Sequence, residues 1–275
     1  MNGKVCIVTG ASAGLGKAIA AGLARLGAIV VLACRDQARG EAARAEIQAA
    51  TGSPTVELLL VDLASLRSVR DAAAEFKQRY RRLNLLVNNA AVFKSRRIVT
   101  PDGLETMFAT NHLGPFLLTN LLLDELRAGA ASRVVNVTAP STTRLVFDDL
   151  QGEQIFRTID AFGASKMCNL LFTYELARRL DRSGVAANAV HPGLVRSGLM
   201  REAPAAARWL FGRFSAAPER AAMGPLYVAT SRELAGVSGA FFKGRRKIRS
   251  SAYARDPQVQ RRLWDVSAQL SGIAG

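Results

Sequence analysis

Short apolar runs alternate along the chain with longer segments in which apolar residues recur every three or four positions. The runs have the length and continuous hydrophobicity of strands buried on both faces, and the segments have the period of amphipathic helices. This regular alternation predicts an α/β fold, a parallel sheet with helices on both faces. The predicted strands are 4–8, 28–33, 56–60, 85–87, 133–137, 185–190 and 239–242. The main predicted helices are 37–50, 66–80, 104–126, 161–180, 219–230 and 257–270.

The first predicted strand leads into a turn rich in glycine. Gly10, Gly14 and Gly16 lie between strand 4–8 and a helical apolar pattern. Glycine lets a backbone approach a pyrophosphate closely, and the amides at a helix N-terminus attract its charge. We therefore predict one Rossmann-like, doubly wound domain of about seven strands over residues 1–275, with a dinucleotide at this turn. A purely structural glycine turn is the alternative. The predicted cofactor contacts are Gly10, Ser12, Ala13, Gly14, Leu15 and Gly16.

The end of the second predicted strand indicates which dinucleotide is bound. An enzyme that prefers NAD usually has a carboxylate there for the ribose 2′-hydroxyl, whereas an arginine accommodates the 2′-phosphate of NADP. Here the small Cys34 precedes Arg35, which favours NADP(H). The alternative is that Asp36 accepts the hydroxyl while Arg35 points to solvent.

Asp62 and Leu63 follow the third predicted strand, where the edge of an adenine ring would lie. We predict that both contact the cofactor. Asp62 is equally suited to cap the helix predicted over 66–80, and both roles are compatible.

Charge and composition narrow the choice of partners. The 275 residues carry a formal net charge of +15, and the densest basic run is 243–249. That run lacks interleaved aromatic residues and matches no nucleic-acid-binding motif. We therefore expect a solvated face and no nucleic-acid partner, although a positive field would help recruit an anionic cofactor.

The rarer residues and the hydropathy indicate the cellular setting. Cys6, Cys34 and Cys168 are scattered through apolar segments and are expected to be small buried hydrophobes. The two histidines are too far apart for a zinc motif, so no metal site is expected. No apolar window reaches the roughly 18 residues of a membrane span, and the first strand follows Met1 too closely for a targeting peptide. We expect a cytoplasmic protein without membrane contact.

Residues 161–166 read Ala-Phe-Gly-Ala-Ser-Lys, which places Phe162 and Lys166 one helical turn apart on the same face. The segment resembles the Tyr-x-x-x-Lys pattern of the short-chain dehydrogenase/reductase family, with Phe162 in the position of the tyrosine. Residues 88–91, Asn-Asn-Ala-Ala, are similar to the family's Asn-Asn-Ala-Gly. Four further segments resemble the retinol dehydrogenase branch: 33–36, 111–114, 149–153 and 263–267.

This resemblance implies roles for further residues. Lys166 would bind the nicotinamide ribose, and Asn111 would hold a water beside it; a purely local hydrogen bond is the alternative for Asn111. The family serine that bonds the substrate carbonyl aligns with Ala139, but the following loop is shorter than in close relatives, so Thr138 or Ser141 could reach the site. In the family, the nicotinamide end of the cofactor is held at positions that here are Asn89, Ala90, Pro192, Gly193 and Val195.

The resemblance also implies a lid and an assembly. Residues 194–225, rich in Ala, Arg and bulky apolar side chains, occupy the place of the family's mobile substrate lid; an amphipathic helix pair is compatible with that role. Family members often form homodimers or homotetramers through long helices beside the sheet, which here are 104–126 and 161–180.

The departures from the family fall on the proton donor, Phe162 for Tyr, and on its helper, Ala139 for Ser. General acid catalysis contributes roughly 10²- to 10⁴-fold. Hydride addition to a simple ketone creates an alkoxide whose conjugate acid has a pKa of about 16. Addition to a quinone creates a phenolate-like anion whose conjugate acid has a pKa of about 10. Relative to its protonated form, this anion is about 8 kcal/mol more stable than the alkoxide. Hydride addition to an iminium ion neutralises the cation and leaves no oxyanion.

We therefore expect an atypical NADPH-dependent reductase that acts on an activated acceptor. The favoured substrate is a hydrophobic quinone of the polycyclic aromatic, polyketide type found in antibiotic biosynthesis. One alternative is a non-redox NADP-binding protein, either a cyclase or a partner subunit. Another is a carbonyl reductase in which Thr138, Ser141 or a water supplies the proton. An engineered substitution in an ordinary dehydrogenase is also open.

Overall fold

Eight strands, β1 to β8 in chain order, form one sheet within residues 1–129, 131–196, 198–200, 202 and 215–273, the part of the chain that the computed structural model describes. The sheet order is β3-β2-β1-β4-β5-β6-β7-β8. The first seven strands are parallel, and β8 runs antiparallel to β7. The strands are Val5–Thr9, Ile29–Cys34, Val56–Leu60, Leu85–Asn88, Ser132–Val137, Val185–His191, Phe241–Lys243 and Arg246–Ile248.

Helices cover both faces of the sheet, and each face has its own hydrophobic core. The helices are α1 Gly14–Arg25, α2 Gln37–Thr51, α3 Leu66–Arg79, α4 Thr106–Phe108, α5 Gly114–Leu121, α6 Leu123–Ala128, α7 Thr158–Arg179, α8 Pro218–Thr230 and α9 Pro257–Ser271. Core residues of α1, α2 and α8 lie on one face, and those of α3, α5, α7 and α9 lie on the other. Within the described ranges, no helix combines the length and the hydrophobicity needed to cross a bilayer.

The α/β class and the doubly wound sheet are confirmed, but the sequence pattern misses β8. This strand lies inside the basic run 243–249, which we had interpreted only as a solvated face. Gly244, at φ +59°, makes the turn between β7 and β8. Because β8 has three residues and only Ile248 is apolar, no alternation is long enough to predict it.

The single helix predicted over 104–126 is wrong. Between α4 and α5 the chain forms a π-helical turn, Ala109–Leu113, in which the Gly114 amide donates to the Ala109 carbonyl five residues back. Pro115 follows at the start of α5 and has no amide hydrogen to offer the carbonyl of Asn111. The helix is wider at this π-helical turn, which carries Asn111.

The lid predicted near 194–225 falls largely outside the described residues. The described part includes 194–196, 198–200, 202 and 215–217, and the last residues of the predicted lid belong to α8. The lid remains a prediction.

The helices expected to mediate assembly are contacted within the chain by α9. Trp264 of α9, which is 7% exposed, packs edge-on against Phe116 of α5 at 4.9 Å between ring centroids. Its ring is tilted against that of Phe172 of α7, with centroids 5.9 Å apart. The Arg179 guanidinium lies 4.3 Å from the centroid of the indole. This part of the helix surface is therefore occupied by the chain's own C-terminal helix, and a homodimer or homotetramer remains a prediction.

Replacing the tryptophan should show how strongly α9 holds the fold. We expect Trp264→Ala to lower the free energy of unfolding by about 3–5 kcal/mol, because it opens a cavity between three helices. Leu270→Ala is the control on the same helix, since Leu270 is 37% exposed and should cost about 1 kcal/mol or less. Urea denaturation followed by circular dichroism measures both. Equal losses for the two variants would contradict a packing role for Trp264.

Candidate active site

The glycine turn forms a cradle at the carboxyl end of β1. Gly10 and Gly14 adopt left-handed backbone angles of φ +65° and +53°. A Cβ on Gly16 would lie 2.3 Å from the Gly10 carbonyl oxygen, so a side chain there cannot fit. Ala13 begins α1 without a side-chain cap, and no acidic residue stands in the first turn. The first amides of α1 are thus left for a bound anion, with the positive end of the helix dipole behind them.

Thr9 joins this cradle to the end of β4. Its buried hydroxyl oxygen accepts hydrogen bonds from the amides of Asn89 at 2.9 Å and Ala90 at 3.0 Å. The Asn89 side-chain amide donates to the Thr9 carbonyl at 2.8 Å. A Cβ on Gly10 would lie 2.9 Å from Ala90 Cα. Asn89 and Ala90 therefore lie directly against the turn, and the Asn89 side chain positions it.

Arg35 and Asp36 occupy the end of β2, beyond the glycine turn. Arg35 is exposed, and within the described residues its guanidinium has no hydrogen bond or ion pair. The Asp36 carboxylate accepts the Arg39 amide at 2.9 Å and caps α2. Asp36 thus already has a structural task, whereas the Arg35 cation is free for a phosphate. Lys17, the nearest lysine in sequence, pairs with Glu46 on α2.

Asp62 and Leu63 lie at the end of β3, as predicted, but Asp62 does not cap α3. Ser65 is the N-cap, accepting from the Ser68 amide at 3.4 Å. The Asp62 carboxylate instead accepts the Ala64 amide at 3.0 Å, within the loop. The expectation failed because Ser65 stands next to the helix and Asp62 stands three residues earlier. Leu63 touches α5, where a Cβ on Gly114 would lie 2.3 Å from the Leu63 carbonyl oxygen.

Lys166 is the buried cation of the site. It is 7% exposed, and burial lowers its pKa to about 8. Its ammonium nitrogen lies 5.2 Å from the centroid of the Phe162 ring, which confirms that the two side chains share a face of α7. No hydrogen bond or ion pair to this nitrogen exists within the described residues. A phenyl ring thus occupies the place where the family pattern has a phenol.

The two hydroxyls considered as substitute acids are both bonded to backbone carbonyls of α7. Thr138 donates to the Lys166 carbonyl at 2.9 Å, and Ser141 donates to the Gly163 carbonyl at 2.8 Å. Ser141 also accepts from the Thr143 amide at 3.2 Å. Each hydroxyl hydrogen is therefore engaged in holding β5 and its following loop against α7. Ala139, half-buried between them, has no donor to offer.

Asn111 connects the π-helical turn to the end of β4 and to α7. Its carboxamide accepts the Val92 amide at 2.7 Å and donates to the Val92 carbonyl at 3.0 Å. It also donates to the Ser165 hydroxyl at 3.0 Å, and Ser165 in turn donates to the Phe162 carbonyl at 2.8 Å. These bonds fix the loop beside Lys166. The water expected beside Lys166, held by Asn111, remains a prediction.

Pro192, Gly193 and Val195 follow β6 at the same edge of the sheet. Gly193 has a left-handed φ of +84°. Val195 forms a parallel bridge with Ala216, supported by the Ala216 amide donating to the Leu194 carbonyl at 2.8 Å. The predicted nicotinamide-binding segment is thereby held in an extended conformation beside the sheet.

Sequence reasoning missed Phe93 as part of this site. Its ring packs edge-on against Phe162 with centroids 5.5 Å apart, and it is buried. The available signal was its position two residues after the Asn-Asn-Ala-Ala segment at the end of β4. His112 lies outside the site, because its Nε2 bonds Ser267 at 2.8 Å and burial lowers its pKa to about 3. Among the described residues, no group of three metal-binding side chains is close enough to hold an ion.

Comparisons with known proteins agree with this geometry. The short chain dehydrogenase family model matches residues 4–208. Mouse retinol dehydrogenase 11 is 44% identical over 98% of this chain and 87% of its own length. The structure of an uncharacterized protein from Mycobacterium paratuberculosis covers 99% of this chain and 94% of its own, at 32% identity and a TM-score of 0.80. A candidate NAD(P)-dependent gluconate 5-dehydrogenase from Beutenbergia cavernae, solved with NADP, is 25% identical over 93% of this chain and 98% of its own, with a TM-score of 0.72.

The matches extend over the glycine turn, the end of β4 and the start of α7, which are the segments that build the site. The chain belongs to the short-chain dehydrogenase/reductase family and is an oxidoreductase of that type, with homologues among the retinol dehydrogenases.

Proposed function

We propose that this protein is an NADPH-dependent reductase of quinones, and that its natural acceptor is a polycyclic aromatic compound. The observation that carries the proposal is the surroundings of Lys166. Its ammonium faces the Phe162 ring at 5.2 Å, and the hydroxyls of Thr138 and Ser141 are bonded to the backbone. An acceptor that needs no proton donor during hydride addition suits this arrangement.

The residues of the glycine turn fit a dinucleotide. The space that a Cβ on Gly16 would fill and the uncapped amides of α1 suit a pyrophosphate, and the exposed Arg35 suits the additional phosphate of NADP. The NADP found in the related Beutenbergia cavernae structure supports this choice. NADPH, when bound, supplies the hydride. Lys166, with Asn89 and Ala90 at the turn, would hold its nicotinamide ribose.

The charge on Lys166 is suited to an anion that forms on the acceptor. A pKa of about 8 keeps most of the amine protonated at pH 7. Burial strengthens its attraction for a nearby oxyanion, because little water screens the two charges. A phenolate-like product needs only this stabilisation, whereas an alkoxide would lie about 8 kcal/mol higher relative to its protonated form.

The apolar surface around the site supports an aromatic acceptor. Phe93 and Phe162 form an edge-to-face pair beside Lys166. The two rings give the surroundings of Lys166 an aromatic, apolar character.

The choice of acceptor tests the proposed function. We expect the purified protein to oxidise NADPH anaerobically with 1,4-naphthoquinone or 9,10-anthraquinone derivatives, and at least about 100-fold more slowly with simple ketones of similar size, since general acid catalysis contributes that factor. The measurement is the loss of nicotinamide absorbance under argon with each acceptor. Turnover with ketones alone would reject the quinone proposal. A protein that binds NADPH but reduces neither class would have a non-redox role.

Restoring the phenol separates charge stabilisation from proton donation. We expect Phe162→Tyr to raise kcat/KM for ketones by about 10²- to 10⁴-fold and to leave quinone reduction within a few-fold, because only the alkoxide needs the proton. Phe93→Tyr is the matched control, since it adds the same hydroxyl to the neighbouring ring. Steady-state kinetics at pH 7 measures both variants. An equal gain on ketones and quinones would contradict the charge argument.

The role of Arg35 is tested by cofactor preference. We expect Arg35→Ser to raise KM for NADPH by about 10- to 100-fold and to leave KM for NADH unchanged, because a charged hydrogen bond contributes about 1.5–3 kcal/mol. Arg67→Ser, on the exposed side of α3, removes the same charge far from the turn. If both cofactors weaken alike, Arg35 does not recognise the 2′-phosphate.

A further inference from the structure

A second concavity lies at the opposite edge of the sheet from β3. The β7–β8 hairpin, the C-terminal half of α7 and the start of α9 enclose a depression of about 510 Å³. This volume is in the range of small-molecule sites, about 300–1,000 Å³. Tyr174, which lines it, stands eight residues after Lys166 on α7, or about 12 Å along the helix. The depression is therefore separate from the candidate active site.

The floor of this depression is apolar and the rim is cationic. Ile248 and the ring of Tyr174 are the partly exposed apolar groups that line it, and both pack against the buried core that includes Phe241. The cations around the rim are Arg178, Lys247, Arg249 and Arg255. Among the residues that the structure describes, none that lines the depression is acidic.

Two of these four cations lack a partner in the described part of the chain. Lys247 and Arg249 make no hydrogen bond or ion pair there, and Arg255 makes one long bond, 3.4 Å, to the Ser250 carbonyl. Arg178 pairs with Glu175, which is 4% exposed on its side chain and also binds Arg179. Like charges crowded around a concave surface repel one another, and an anion bound between them would relieve the repulsion.

Uncharged hydrogen-bonding groups are also held in place here. The Tyr174 and Ser250 hydroxyls bond each other at 2.8 Å. Gln260 is buried, accepts from Arg178 at 2.9 Å and donates to the Ala254 carbonyl at 2.8 Å. Asp256, the nearest acidic residue in sequence, caps α9 through the Gln258 amide. These bonds preorganise the rim before any ligand arrives.

Charges on β8 also protect an edge strand from pairing with another chain. That role explains the basic residues of the hairpin. It does not explain the concave shape, the apolar floor or the hydroxyl pair. We propose that this depression binds an amphiphilic anion, with the apolar body on Ile248 and the Tyr174 ring and a phosphate or carboxylate between Lys247, Arg249 and Arg255.

Two sources could supply such a ligand, a free phosphorylated metabolite or the headgroup of an anionic lipid. The experiment therefore uses 1-naphthyl phosphate as the soluble probe and phosphatidylcholine vesicles with or without phosphatidic acid as the lipid probe. The full-length protein is first saturated with NADP⁺, which blocks the phosphate site at the glycine turn. Isothermal titration calorimetry measures the soluble probe, and sedimentation measures the vesicles.

The variants separate a shaped site from general positive charge. We expect Lys247→Gln/Arg249→Gln to weaken binding of 1-naphthyl phosphate at least about 10-fold, because two charged contacts are lost. The control, Arg245→Gln/Arg246→Gln, removes the same charge from hairpin residues that do not line the depression and should change binding by no more than about two-fold. Ser250→Ala, which keeps the charge, should weaken binding several-fold.

Each outcome decides for or against the site. Binding of the soluble probe alone supports a metabolite as ligand. Binding of phosphatidic acid vesicles, competed by 1-naphthyl phosphate, supports a lipid headgroup in the same site. The proposal is overturned if the wild-type protein binds neither probe, or if the two double variants lose equal affinity. Because NADP⁺ is already bound and no turnover is measured, these results are independent of the reductase proposal.

Discussion

The candidate active site depends on the junction between β1 and β4, which is held by the buried hydroxyl of Thr9. From this pair the chain builds the sheet outward in both directions, through β2 and β3 on one side and through β5 to β7 on the other. Reversal of the strand order leaves a crevice at the carboxyl ends of the strands, where dinucleotides bind. Thr9 accepts from the Asn89 and Ala90 amides and so draws the end of β4 against Gly10. At that separation only glycine fits at position 10, and the turn keeps the shape that a pyrophosphate requires.

The predicted cofactor-binding residues and the residues around Lys166 differ in how their polar groups are satisfied. The cofactor half keeps the open cradle, the uncapped helix and an unpaired arginine. Around Lys166, the polar side chains form hydrogen bonds within the protein. Thr138 and Ser141 donate to carbonyls of α7, and Asn111 bonds Val92 and Ser165. Because these groups are satisfied, the fold loses little when the phenol is absent. Lys166 is the exception: its ammonium lies beside the Phe162 ring and, within the described residues, has no hydrogen bond or ion pair.

The sequence predicts most of what periodicity and local chemistry control. Seven strands, the glycine turn and the common face of Phe162 and Lys166 follow from spacing alone, and the 5.2 Å contact confirms the last of these. Some failures reflect a partner distant in sequence, and others reflect a stronger local competitor. The π-helical turn carries a side chain that bonds a backbone 19 residues away, and Ser65 displaces Asp62 as the cap of α3. The hydrogen bonds of the Thr138 and Ser141 hydroxyls likewise reach carbonyls of α7. No sequence motif predicts these bonds.

In the proposed quinone reductase, the different distance dependence of proton transfer and Coulomb attraction accounts for a preference among acceptors. Proton transfer requires a donor within about 2.6–3.2 Å of the reacting atom. Coulomb attraction falls only as 1/r, and it is stronger where burial removes water. A phenyl ring over the Lys166 ammonium adds attraction of about 0.5–2 kcal/mol to its charged form, partly offsetting the burial that lowers its pKa. In the proposed reductase, the Lys166 charge provides a field that acts at a distance, without a proton donor at position 162. An acceptor needs only that field if its anion is stable enough to form first and be protonated by water afterwards. A quinone meets this condition, and a simple ketone does not.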